Sequence, residues 1–352
     1  MKTRFIISFF CLFTLGLIVE GFNPPASVKP QPIPFLYPKS WPAPKPIFKY
    51  NKLTEEGFQL GKKLFYDGQL SSDGEVSCAN CHQQFAAFSN YDHALSHGVN
   101  NSFSQRNAPA LVNVAWMPYL HWDGAINHIE LQPLAPITAP NEMGSSLADA
   151  LLRLRKDKSY PPLFKAAFGD TVINSQRMLK ALSQFVGSLV SCNSKYDKVI
   201  IGKTQFTSAE AKGYQLFRDN CSGCHQEPLF TDNSFRNNGQ SLNRFNDLGL
   251  MQISQLQTDS LKFKVPTLRN IQVSAPYMHD GHVATLGAAI EHYNNGIDTS
   301  RNDIDPLLKK KFNFSTAEKS ALIQFLYTLT DSSFLRNPRF GQGNPKLLKK
   351  HQ

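Results

Sequence analysis

The chain has 352 residues, 41% hydrophobic and 18% charged, a balance that excludes wholesale disorder and suits a folded soluble protein of about two domains. Its formal charge of +10 comes from scattered Lys and Arg, with no helix-turn-helix pattern or basic stripe. That argues against nucleic acid as a partner and for a solvated surface, or a face for an acidic redox protein.

At the N-terminus, Lys2 and Arg4 precede an apolar run from Phe5 to Val19, the layout of a secretory signal and too short for a membrane span of about 20 residues. Val19 and Gly21 are small enough for cleavage before Phe22; the alternative is an uncleaved signal that tethers the protein to the membrane. Cys11 is read as part of the signal. Residues 22–50, with "NPPASVKPQPIPFLYPKSWPAPKPIFK", are too rich in proline for a helix or central strand. They form a spacer or an arm along the first domain, and Phe35, Tyr37, Trp41 and Phe48 favour the arm.

Two copies of Cys-x-x-Cys-His follow, "CANCH" at Cys78, Cys81 and His82 and "CSGCH" at Cys221, Cys224 and His225, and they use four of the six cysteines. Two thiols at this spacing can each bond a vinyl group of one haem, and the adjacent imidazole then lies under the iron. A Cys-x-x-Cys pair also serves zinc sites and thioredoxin-like redox centres. Neither of these needs the His present in both copies, so two covalently bound c-type haems are the expected cofactors.

The motifs belong to a longer repeat. "GKKLFYD" (Gly61 to Asp67) and "GYQLFRD" (Gly213 to Asp219) precede them. After them, Pro109, Leu111 and Asn113 match Pro266, Leu268 and Asn270, and Pro118, Tyr119 and His121 match Pro276, Tyr277 and His279. Each half ends in an amphipathic helix, "ALSQFVGSL" from Ala181 and "ALIQFLYTL" from Ala321. The expected fold is mainly α: two tandem cytochrome c-like domains, 51–198 and 199–335, each with one haem, then a basic tail at 336–352. Cys192 is read as a small buried residue.

The blocks "RNAPALVNV", "HWDG", "PLAPITAPNEMG" and "KVPTLRNIQVSAPYMHDGHVATL" resemble the signature segments of the bacterial di-haem cytochrome c peroxidases and their MauG-type relatives, over roughly Leu53 to Asp331. The resemblance implies a periplasmic oxidoreductase that reduces hydrogen peroxide at the first haem. Electrons then come through the second haem from a small donor protein, a c-type cytochrome or a cupredoxin. A homodimer stays open.

By the same resemblance, Trp122 lies between the haems, Glu142 is the carboxylate over the peroxide-binding iron and Gln132 the amide beside it. A carboxylate there suits the chemistry, because O–O cleavage needs a proton moved from one peroxide oxygen to the other. His97, or its rival His93, stands where a removable sixth ligand of the first haem is expected, with a water-open haem as the alternative. Asn107, Ser274 and Pro276 match positions that hold calcium. At the second haem the family's ligand position carries Tyr293, as in MauG-type proteins, with Met278 as the alternative. Tyrosine would lower the potential and favours an oxidase that uses peroxide on a protein or organic substrate. A non-catalytic electron carrier, which would need neither Glu142 nor Gln132, is the third reading.

Overall fold

In the computed structural model, which describes residues 29–343, the first long helix, Glu55–Phe65, begins where Thr54 accepts the Gly57 N–H on its side chain. Glu55 and Glu56 in its first turn and Lys62 and Lys63 in its last complement the helix dipole. Its buried face, Phe58, Leu60, Leu64 and Phe65, packs on the helix Ser175–Gly187. The second half repeats the pairing with Ser208–Asn220 and Thr316–Tyr327, both started by capping boxes, Thr207 with Glu210 and Ser315 with Glu318. The signal segment 1–21 and the last residues of the expected tail, 344–352, lie outside the described residues.

One glycine in each pair sets the approach. A Cβ on Gly61 would lie 1.9 Å from the Ala181 carbonyl oxygen, and one on Gly213 would lie 2.0 Å from that of Ala321. The glycine of the repeated G-x-x-L-F-x-D is therefore where two helix backbones touch.

Each helix pair has its own core. Phe58, Phe65, Phe88, Phe164 and Phe185 centre the first, and Phe217, Phe230, Phe325 and Leu326 the second. A third cluster forms where Trp41 meets Ala115, Trp116 and Leu229, with Phe35 and Tyr37 against it. Residues 29–50 therefore lie along the folded body as an arm. The helix Lys195–Ile200 gives Tyr196 to the second core, whereas Phe334 and Phe340 return to the first. The segment expected to begin the tail is thus tied down as far as Phe340, whose carbonyl accepts the Tyr66 hydroxyl at 2.9 Å. Among the described residues the only sheet is one antiparallel pair, Phe235–Arg236 with Phe263–Lys264, and the fold is mainly helical.

The geometry corrects the register of the repeat in one block. Asn113 and Asn270 are left-handed, with φ 57° and 61°. Seven residues beyond each, Leu120 donates its N–H to Ile126 and Tyr277 donates to Val283, both at 2.7 Å. Gly124 and Gly281 then share φ near 70°, 73° and 69°. In space Leu120 therefore corresponds to Tyr277, and His121 (φ 64°) to Met278 (φ 73°). The match of Pro118, Tyr119 and His121 to Pro276, Tyr277 and His279 is off by one, because shared letters outweighed the position of the turn.

Candidate functional site

Each Cys-x-x-Cys-His segment ends in a histidine fixed by a backbone carbonyl. His82 Nδ1 is 2.8 Å from the Phe88 oxygen, and His225 Nδ1 is 3.1 Å from that of Phe230. A carbonyl can only accept, so each ring donates from Nδ1 and keeps Nε2 as a free base, the state that binds a metal. Burial pushes the His82 imidazole down to about 4 and lowers His225 too, which favours the neutral ring in both. None of the four motif cysteines is tied up in a disulfide.

One cavity of about 850 Å³ reaches both motifs. It is lined by Cys78, Cys81 and His82 at one end and by Cys221, Cys224 and His225 at the other. One feature of the wall tests the fit of the expected cofactors. Lys264 is 8% exposed and its Nζ meets only Met117 Sδ, at 3.9 Å, with no carboxylate in reach among the described residues. Burial pushes this ammonium down to about 8. An unpaired buried cation on a cavity wall calls for an anionic ligand, and a haem supplies carboxylates. The paired thiols, the free imidazole nitrogens and this amine together fit two c-type haems.

Gln132 and Glu142 line the cavity near the first motif. The short helix Leu134–Thr138 separates them and turns the chain back. The Glu142 carbonyl accepts the Val99 N–H at 2.8 Å, and a Cβ on Gly98 would lie 2.2 Å from the Asn141 carbonyl oxygen. The loop carrying His97 is therefore pressed against the loop carrying Glu142. The Glu142 carboxylate has no hydrogen-bond partner among the described residues, and burial raises it above its ordinary value.

His97 lines the cavity with Phe103 packed on its ring at 4.6 Å. The cavity wall does not include His93, whose Nδ1 meets the Asp92 carboxylate. Asn107, Ser274 and Pro276 also line the cavity. The Asn107 side-chain amide donates to the Ala94 carbonyl at 3.0 Å, and its backbone oxygen accepts the Trp122 indole at 2.8 Å.

Trp122 stands at the seam of the two halves. Besides its bond to Asn107, its carbonyl accepts the Lys264 N–H at 2.7 Å, and Asn107 in turn donates its N–H to the His279 carbonyl at 2.8 Å. Arg106 ties the same seam, gripping Asp247 with Nε at 2.6 Å and Nη2 at 2.7 Å while Nη1 reaches Asp123 at 2.5 Å. Burial pushes the Asp247 carboxyl up, but its bonds to Arg106 hold it below the usual range.

Tyr293 and Met278 both reach the cavity beside the second motif. Tyr293 lies in a π-helical turn, His292–Gly296, that follows the helix Leu286–Glu291, and such turns recur at functional sites. Asn238 Nδ2 is 3.5 Å from the Tyr293 hydroxyl and 3.6 Å from Met278 Sδ. In the corrected register the counterpart of Met278 is His121, and both line the cavity.

The pattern of the di-haem cytochrome c peroxidase family matches residues 55–205. The methylamine utilization protein MauG of Methylophilus methylotrophus is 37% identical over 303 residues, 84% of this chain and 87% of that one. The chain belongs to the di-haem cytochrome c peroxidase family. The cytochrome c551 peroxidase of Nitrosomonas europaea is 32% identical over 297 residues, 82% of this chain and 85% of that one. Among solved structures, a MauG-like protein associated with microbial copper homeostasis superposes with a TM-score of 0.81 at 33% identity, covering 87% of this chain and 98% of that one. The diheme peroxidase BthA of Burkholderia thailandensis, 23% identical with a TM-score of 0.71 over 83% of this chain and 91% of that one, shares the fold. The family comprises haem-containing oxidoreductases, both di-haem peroxidases and MauG-like oxidases, and membership implies two c-type haems. No described helix is long and apolar enough to cross a membrane.

Four side chains at the site went unassigned from sequence: His121, Lys264, Arg106 and Asn238. The left-handed turn reveals His121, the lone burial of an amine Lys264, a contact across the seam Arg106, and the amide shared by Tyr293 and Met278 reveals Asn238.

Proposed function

We propose that the protein is a periplasmic di-haem cytochrome c peroxidase that reduces hydrogen peroxide to water at the first motif, with electrons from a small redox protein entering at the second. The observation that carries this reading is the unpartnered Glu142 carboxylate beside Gln132 on the wall of the cavity that contains Cys78, Cys81 and His82. In this reading each half is a cytochrome c-like domain, 51–198 and 199–335, whose cysteines hold one haem covalently.

A haem held by His82 would supply the iron at which peroxide binds and the route by which electrons reach it. Everything else falls to side chains. Glu142 takes the proton from the near peroxide oxygen and returns it to the departing one, a task for a carboxyl whose pKa is raised toward neutrality. Gln132 orients the bound oxygens through its amide. Two protons and two electrons complete the conversion of one peroxide to two waters. Trp122, bonded to both halves, lies on the path between the sites. His97 would close the first site at rest, with a water-open site as the alternative, and a calcium ion on Asn107, Ser274 and Pro276 would brace the seam. At the second site His225 and Tyr293 would hold the iron, with Met278 as the alternative.

A MauG-type oxidase is the second reading. Tyr293 at the ligand position supports it, as does the 37% identity to MauG. A plain electron carrier has no use for Glu142. Turnover of peroxide with a reduced small cytochrome or cupredoxin separates the three: donor-linked turnover marks the peroxidase, a single equivalent of peroxide consumed per protein without donor, its two electrons drawn from the protein itself, marks the oxidase, and neither marks the carrier.

A further inference from the structure

The corrected register raises a question about His121. The same left-handed position before an Asp-Gly pair carries Met278 over the second site and His121 over the first, and both side chains line the cavity. A left-handed backbone is unfavourable for most residues and persists where the surroundings enforce it. Here it turns a side chain inward in both halves.

The His121 ring meets the peroxide pocket directly. Its Nε2 is 3.3 Å from Gln132 Nε2. Of the two, the Gln132 amide is the sure donor, so the ring accepts on Nε2 and carries its proton on Nδ1. Burial lowers His121 below its ordinary value, with Asp123 opposing and Arg106 and Lys264 reinforcing the shift. A neutral acceptor is what this geometry requires.

We propose that His121 is a positioning residue of the peroxide pocket, taking one Gln132 amide hydrogen so that the second points at the ligand on the first iron. An amide with one hydrogen anchored is a fixed donor, whereas a free one rotates. This inference rests on the reading of the first motif as the peroxide-binding haem and adds to it the group that aims Gln132.

Fluoride is a suitable probe, because it binds open ferric haem and responds to a distal hydrogen-bond donor without any turnover. Because His97 would close the first site at rest, the titration uses the holoprotein carrying His97→Ala, every variant below is made in that background, and the ligand band of the first haem is followed. His121→Asn suits the left-handed backbone but is too short to reach Gln132, and it should weaken fluoride binding about 3- to 10-fold, the range of one hydrogen bond. Gln132→Leu should weaken it at least as much. The double variant should be no weaker than Gln132→Leu, because the two residues act as one unit. His121→Gln, whose Oε1 can accept the same hydrogen, should restore binding. Unchanged binding in His121→Asn, losses that multiply in the double variant, or a first haem that takes up no fluoride even with His97 replaced would each overturn the proposal. A purified protein without haem, evident from its colour before any titration, would overturn the underlying reading instead.

Discussion

Asn238 Nδ2 points at the Tyr293 hydroxyl from 3.5 Å, and the same nitrogen is 3.6 Å from Met278 Sδ. The two candidate ligands of the second haem therefore share one amide. Its loop is itself pinned, because His292 Nε2 donates to the Asn238 carbonyl at 2.9 Å. With Tyr293 bound to iron, the amide is left to donate to Met278 or to the bound oxygen. Tyr293 ligation should give a low potential and no methionine charge-transfer band in the far red. Tyr293→Phe should then raise the potential, and Met278→Leu should leave the spectrum unchanged. A far-red band in the wild type that survives Tyr293→Phe and vanishes in Met278→Leu would assign the iron to sulfur.

Glu142 sets the expected pH dependence. Burial raises its carboxyl above the ordinary range, and the first proton step needs the ionised form. Turnover should therefore fall as the pH drops through that raised pKa, and the acid limb should lie above that of a free carboxylate. Glu142→Gln should cost about 10² to 10⁴ in turnover, the usual contribution of a general acid-base group, and should abolish the acid limb. The haem spectra serve as the control and should stay nearly unchanged.

Trp122 is bonded to both halves. Trp122→Phe should slow electron exchange between the haems, seen by rapid mixing of the half-reduced protein with peroxide. Peroxide binding at the first haem should keep its affinity.

The helix crossings offer a test of the fold itself. Gly61→Ala and Gly213→Ala place a methyl group about 2 Å from a backbone oxygen of the facing helix. Each should destabilise the protein by about 1–3 kcal/mol, as overpacking does, despite the better helix propensity of alanine. Thermal unfolding of the two holoproteins measures this.

What could be read from the sequence follows from how local each signal is. The helical periodicity of the two closing helices, the repeated G-x-x-L-F-x-D and the two cysteine motifs lie within a few residues and are legible in the sequence. That the repeated glycines stand at the helix crossings, and that Thr207 with Glu210 and Ser315 with Glu318 form capping boxes, comes from the structure. One block of the repeat aligns by letters one residue out of register, because Pro, Tyr and His recur while the turn that aims the side chains is set by φ, and the letters alone hide the correspondence of His121 with Met278. Lys264 was hidden for another reason. Its burial against Met117, from a segment 147 residues away in sequence, is a tertiary fact with no local pattern.

The central claim is that peroxide is reduced with electrons from a separate donor. It is tested most directly by mixing the purified di-haem protein with hydrogen peroxide and an excess of a reduced small cytochrome c or cupredoxin, and counting donor molecules oxidised per peroxide consumed. The account predicts catalytic turnover with two one-electron donors oxidised for each peroxide, lost in Glu142→Gln. A single equivalent of peroxide consumed per protein while every tested donor stays reduced would contradict it and point to the oxidase branch.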